Sequence, residues 1–222
     1  MNEPTNDFEE FEEFEFFHNL DLNNLIFEVW TKPKLVFTYL FKTNPTKYLQ
    51  VLLIASALSS TFNRAMEKSI GFDSYGKGYF LGMVVFGALL TWALYYLLAW
   101  ILQYFGKAFL NGSANSKKFL TVLAWSNIPN IASAFFTFFL ILIYGPNALH
   151  DSFTPPSEIA GFVYIVVGLC EMALAIWSVA ILVIGTMYIQ KFGTGKAIGN
   201  IFLPFILIIV VFVLVFVLGD LF

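Results

Sequence analysis

Five long stretches without charge dominate the sequence: residues 48–63, 78–106, 119–150, 159–190 (interrupted only by Glu171) and 197–219. A helix rises ~1.5 Å per residue, so a ~30 Å hydrocarbon core needs about 20 apolar residues, all of whose backbone polar groups bond within the segment. Runs of this length predict an all-α fold, a polytopic integral membrane bundle of five transmembrane helices. Composition agrees: 59% of the residues are hydrophobic, 19% aromatic and 12% charged, where soluble domains carry ~25% charge. The first run, 16 residues long, is short for the core, so Lys47 and Arg64 are expected to snorkel or the helix to extend into its flanks. The third and fourth runs each fit one tilted helix with an interfacial turn. An odd number of spans places the two termini on opposite sides.

The distribution of positive charge orients such a bundle, because short loops rich in Lys and Arg stay cytoplasmic. Lys32, Lys34, Lys42 and Lys47 precede the first span, Lys107, Lys117 and Lys118 follow the second, and Lys191 and Lys196 follow the fourth. The other side holds Arg64, Lys68 and Lys77 in its first loop and none in the two segments after. The N-terminus is therefore expected in the cytoplasm and the C-terminus outside. The lysines are dispersed between apolar runs and form no clustered basic stripe, which excludes nucleic acid as a partner. Cys170 stands alone inside an apolar run and supports no disulfide framework. MNEPTNDFEEFEEF has neither a basic n-region nor an apolar h-region, so the first span is expected to direct insertion.

Residues 1–46 form a short cytoplasmic N-terminal segment ahead of the membrane domain, 47–222. Nine of the fifteen acids lie in residues 1–28, with no Lys or Arg among them. In FEEFEEFEFF, Phe8, Phe11, Phe14 and Phe17 are three apart and leave Glu9, Glu12 and Glu13 on the opposite half of a helix. The segment is amphipathic but negative, which disfavours an anionic leaflet. A disordered acidic-aromatic tail and a partner-binding motif both fit this pattern. The following LIFEVWTKPKLVFTYLFK carries Trp30, Tyr39 and lysines, and is expected to be an interfacial helix restarted after Pro33.

Within the spans most polar residues suit packing. Ala55, Ser56, Ser59 and Ser60 form small-xxx-small pairs, and Gly78 with Gly82 and Gly195 with Gly199 match GxxxG. Pro129, in AWSNIPNI, is expected to kink the third span, with Ser126, Asn127 and Asn130 re-bonding the freed backbone groups or lining a cavity. Glu171 is the exception. It lies twelve residues past Ile159, near mid-membrane, where a carboxylate costs about 2.5–3.5 kcal/mol on insertion scales. Ser56, Thr91, Tyr95 and Asn130 are its expected neutral partners, which favours a protonated carboxyl acting as interhelical glue over a proton-coupled site.

Enzyme motifs fail on chemistry, so no catalytic residue, metal site or cofactor is assigned. GTGKAIG at 193–199 lacks the first glycine of a phosphate loop and has Ala197 where a hydroxyl would ligate Mg²⁺. His150, Asp151 and Ser152 are chain neighbours rather than a triad assembled by a scaffold. Glu15 and His18 supply one Glu-x-x-His where a di-iron bundle uses two plus two further Glu. The sequon at Asn111 falls in an expected cytoplasmic loop.

The ordered set of Trp30, Pro33, Gly106, Gly112, Lys118, Pro129, Lys196, Ala197 and Pro204 around five spans, with VWTKPKLVFTYLFKTNPTKY, LQYFGKAFLNGSANSKKFLTVLAWSNIP and GKAIGNIFLPF, resembles the Yip-domain family over about residues 25–222. In eukaryotes such proteins look like Golgi and endoplasmic-reticulum factors that associate with Rab/Ypt-class GTPases and with each other. Their cytoplasmic Asp-Leu-Tyr-Gly-Pro motif is absent before the first span here, and Tyr144, Gly145 and Pro146 lie in a loop on the opposite side. Compact loops and the short N-terminal segment look more like bacterial members, which implies the bacterial cytoplasmic membrane, with endoplasmic reticulum or Golgi as the alternative. The resemblance implies a fold and a location, and no catalytic residue.

Two functions from different classes follow. One is a non-enzymatic membrane scaffold, a trafficking-type or membrane-organising factor that contacts the lipid bilayer, assembles as a homo- or hetero-oligomer and recruits a cytoplasmic protein through residues 1–46. The alternative is a small proton-coupled transporter, channel or lipid-handling protein with Glu171, Asn127, Pro129 and Asn130 as its intramembrane site. Sparse polar content in the spans favours the scaffold, since transport sites usually combine several ionisable groups or broken helices.

Overall fold

The N-terminal helices are set by one proline. Lys32 closes the first, its N–H bonding Glu28 O at 2.7 Å, and Pro33, which has no N–H to bond backwards, opens the next. The computed structural model describes residues 20–67, 77–145 and 154–219, and within them the chain forms eight helices and no strand. These are α1 (Leu25–Thr31), α2 (Pro33–Thr43), α3 (Leu49–Glu67), α4 (Lys77–Leu110), α5 (Ser116–Ser126), α6 (Ile128–Tyr144), α7 (Glu158–Gln190) and α8 (Thr194–Gly219). The acidic-aromatic repeat, Glu15 with His18, and His150 to Ser152 lie outside the described residues.

Four segments are long and apolar enough to cross a membrane: Phe80–Leu110, Ser116–Tyr144, Glu158–Gln190 and Thr194–Leu214. The first uncharged run of the sequence is α3, which is shorter and more polar than these. It buries Leu49, Leu52, Leu53, Ser56 and Ala57 along one stripe and exposes Val51, Ile54 and Leu58 on the other side. A helix whose outward face is also apolar suits lipid rather than water.

The lipid-facing zone can be measured on α7. Large apolar side chains are exposed from Ile159 to Val179, a rise of about 30 Å, equal to the hydrocarbon thickness. From Ala180 to Gln190 no residue is exposed. That last stretch is wrapped by protein: the Phe41 ring stacks on Tyr188 at 5.7 Å, and Phe37 and Val122 crowd Gly185. Trp177 marks the edge of the zone and donates its Nε1–H to Trp30 O at 3.1 Å, as an amphipathic ring at an interface does.

The third uncharged run is two helices rather than one. α5 has every residue from Phe119 to Ser126 buried, whereas α6 exposes Phe135, Phe138, Phe139, Leu142 and Ile143. A helix apolar on all sides is buried on all sides, and α5 is enclosed by protein beside the last turns of α7. Its Asn115 caps the first turn, Oδ1 accepting from Lys118 N at 3.0 Å. Thr121 Oγ1 donates to Pro45 O at 2.7 Å and Trp125 Nε1 to Lys47 O at 3.3 Å, which ties the turn before α3 to this helix. α1 and α2, expected to anchor at the lipid interface, bury Leu25, Val29, Val36, Phe37 and Leu40 in this core.

The glycine pairs that match GxxxG do not make helix contacts. A methyl group built on Gly78, Gly82, Gly195 or Gly199 would meet nothing within 4 Å. Close approach occurs at Gly87, against Thr61, at Gly106 and Gly112, against Gln190, and at Gly185. A short motif reports spacing along one helix and carries no information about which face meets a neighbour.

The candidate functional site: a polar seam and a buried amide junction

The kink at Pro129 is where the bundle spends most of its intramembrane polar groups. Pro129 occupies the first turn of α6, where a missing N–H costs least. Around it the expected re-bonding takes place: Asn127 Nδ2 donates to Leu123 O at 2.8 Å, and Ser126 Oγ to Leu123 O at 3.1 Å. Asn130 Nδ2 donates to both Asn127 Oδ1 and Ser178 Oγ, each at 3.0 Å, and Ser178 Oγ–H donates to Ser126 O at 2.5 Å. A carbonyl at the break is thus satisfied from the neighbouring helix, which is how transmembrane helices tolerate proline. Ser59 Oγ adds a long contact from α3 to Asn130 O at 3.4 Å.

Seven residues on along α6, Thr137 Oγ1 donates to Glu171 Oε1 at 3.1 Å. Asn130 pairs with Ser178 and Thr137 with Glu171, so both helices advance seven residues in opposite directions: an antiparallel seam with two polar layers. Tyr144 with Tyr164, and Leu140 with Val167, continue it as an apolar cluster. Polar pairs at single layers fix register, because slipping by one turn strands them in hydrocarbon. Glu171 is half-buried and lies near the middle of the lipid-facing zone.

Glu171 thus bonds Thr137, which is not one of the four partners expected from depth alone. Of those, Ser56, Thr91 and Tyr95 belong to a separate contact between α3 and α4, with Thr91 Oγ1 3.4 Å from Thr61 Oγ1 and Tyr95 beside Ser60 and Ser56. Depth along a span was legible in sequence, but azimuth was not, and the two contacts sit on different faces. Asn127, Pro129, Asn130 and Glu171 do share one seam, joined by Ser178 and Thr137. Replacing Thr137 by Val and Glu171 by Leu, singly and together, should give a coupling of about 0.6 kcal/mol, the average for such bonds in membranes, measured by unfolding in one detergent.

A second polar cluster is not legible in the sequence, because its members read as helix ends. Gln190, the last residue of α7, is 3% exposed, and its Oε1 accepts from Ala114 N at 2.9 Å. Its side chain threads between Gly106 and Gly112, where a Cβ on either would collide with the amide. Asn200 of α8 faces Gly106 too, and Thr186 lies one turn before Gln190; both are 0% exposed. Lys191 then ends α7 in the left-handed region at φ 56°. The junction thus brings the ends of α4 and α7, the start of α8 and the approach to α5 to one point.

Among the described residues no group of three or more His, Cys, Asp or Glu could hold a metal. The groove between α3 and α4 is lined by Ile54, Ala57, Leu58, Val85, Ala88, Leu89 and Trp92, with no polar lining atom. What the site offers chemically is interhelical hydrogen bonding and one half-buried carboxyl. A family model, the Yip1 domain, matches residues 27–215. No curated protein and no solved structure matches the chain.

Proposed function

The chain belongs to the Yip1 domain family, and on that premise we propose that it is a non-enzymatic scaffold of the membrane, a trafficking-type or membrane-organising factor. The observation that carries the proposal is the polar seam. Asn127, Asn130, Ser178 and Ser126 bond one another across α6 and α7, and Glu171 receives Thr137, so the polar groups serve to join helices. The protein is an integral membrane protein of the bacterial cytoplasmic type, assembling with itself or related chains and recruiting a soluble partner through residues 1–46.

Five crossings are the finer topology. Supporting them, Phe41 on Tyr188 puts the end of α2 beside the Gln190 end of the bundle, and Gly106 on Gln190 puts the end of α4 there as well. α4 rises about 50 Å over its 34 residues, so it begins at the far end, and α3 is left to make the crossing. α8 starts beside Gly106 and runs away from it. The Gln190 end also gathers Lys42, Lys107, Lys117, Lys118, Lys191 and Lys196, which supports its cytoplasmic placement. A reporter fused after Phe222 is expected outside; a cytoplasmic signal would reverse the orientation.

The scaffold proposal is tested by flux and by association together. Proteoliposomes holding the full chain are expected to dissipate a pH gradient no faster than empty liposomes, and a variant lacking residues 2–20 should lose a partner that co-purifies with wild type. Proton flux abolished by Glu171→Gln would replace the scaffold with the proton-coupled transporter, whose one supporting observation is a half-buried carboxyl at mid-membrane depth.

A further inference from the structure

The Gln190 end of the bundle carries a concentrated positive field. Lys107 follows Gly106, Lys191 follows Gln190, Lys117 and Lys118 lie in the first turn of α5, and Lys196 in the first turn of α8; all five are exposed. The junction at Gln190 collects these segments at one point. Three of the five cations stand at helix N-termini, where the helix dipole is itself positive. Among the described residues no carboxylate forms a salt bridge with any of them, since Glu28 pairs with Lys32 and Asp21 bonds Asn23 and Asn24. Phe109 and Ile198, 58% and 43% exposed, each stand two residues past a lysine, Lys107 and Lys196, and add apolar surface.

This surface lies at the edge of the lipid-facing zone. On α7, Gln190 lies eleven residues past Val179, the last exposed large apolar side chain of that helix, a rise of about 16 Å, while on α4 Trp100, Tyr104 and Phe109 stay exposed up to the same end. The chain itself carries the complement. Residues 1–19 hold seven carboxylates, no Lys or Arg, and five phenylalanines interleaved with the acids. They are tethered at Leu20, 5% exposed in the same core as Phe119 and Ile189. Nineteen residues extend up to about 60 Å, and a short flexible tether holds its segment at millimolar effective concentration.

We propose that the acidic-aromatic segment, residues 1–19, docks on the Gln190 end of its own bundle, its glutamates on Lys107, Lys117, Lys118, Lys191 and Lys196 and its phenylalanines on the apolar surface around Phe109. This deepens the recruiting role proposed above: a partner of residues 1–46 then competes with an intramolecular contact. It rests on that role only in placing this end in water, and not on which side of the membrane it faces.

The test uses the full chain in phosphatidylcholine nanodiscs, as an equal mixture of ¹⁴N and ¹⁵N protein. Zero-length carbodiimide coupling should join the peptide bearing Glu9 to Glu15 to peptides bearing these lysines within one isotope, and the products should fade at about 0.5 M salt, where the Debye length is about 4 Å. Changing Glu9, Glu10, Glu12, Glu13 and Glu15 to Gln should raise acetylation of the five lysines at least about threefold, given a millimolar tether, with melting unchanged. Mixed-isotope products would overturn the proposal in favour of a second copy. Lysine protection that ignores the glutamate changes and appears only with anionic lipid would overturn it in favour of the leaflet. The proposed recruiting role fails separately, by loss of no partner on removal of residues 2–20.

Discussion

Trp125→Ala should lower stability by about 3–5 kcal/mol, the range for removing a large buried aromatic, and so consume a large part of the 5–15 kcal/mol available to a typical domain. Trp125 is 0% exposed, its Nε1–H is held by Lys47 O, and its ring lies 6.3 Å from that of Tyr48. The loss is large because of where the residue sits. Inside the lipid zone apolar side chains gain little from leaving hydrocarbon for protein. Most of α5 is enclosed by protein beside the last turns of α7, so the cavity left by the indole loses close packing on every side. The substitution also leaves Lys47 O without its donor, a further penalty for a buried carbonyl. Chemical unfolding of wild type and variant in the same detergent measures the difference. A change below about 1 kcal/mol would show that this layer is not the stabilising core.

Gly185→Leu is expected to cost about 3 kcal/mol, at the upper end for overpacking, while Gly82→Ala and Gly199→Ala should be neutral or stabilising by about 0.4–1 kcal/mol. At Gly185 a new Cβ would stand 2.5 Å from Val122 Cγ1 and 2.9 Å from two atoms of the Phe37 ring, so α2, α5 and α7 would all have to separate. At Gly82 and Gly199 it would meet nothing within 4 Å. The contrast is sharp because three of these glycines look alike in sequence, and Gly82 and Gly199 even belong to the better motif. Melting curves of the three variants decide it. Equal losses at all three positions would mean that Gly82 and Gly199 contact something outside this chain.

Much of the fold was legible before any coordinate. Uncharged run lengths predicted the long helices, Pro33 the break between α1 and α2, and Pro129 the interruption in the third run, because each depends on local rules: helix rise, a missing N–H, a fixed φ. The depth of Glu171 followed from counting residues. Its partner did not, since Thr137 is 34 residues away and nothing in either run fixes how far one helix is rotated against the other. Ser178 was invisible for the same reason: an isolated serine in an apolar run reads as a small packing residue until Ser126 O and Asn130 are found beside it.

By itself, then, the sequence determined the solvent and the material of this protein: helices, a bilayer, a charge asymmetry between its ends and a family membership carried by scattered prolines, glycines and lysines. Only the tertiary structure decided that α5 is withdrawn into a core enclosed by protein, that α6 and α7 are keyed by two polar layers, and that Gln190 draws α4, α7 and α8 together against Gly106 and Gly112. The physical reason is that hydrophobicity is read one residue at a time and is nearly indifferent to direction. Hydrogen bonds and close backbone contacts depend on azimuth, register and distance, which exist only once the helices have met.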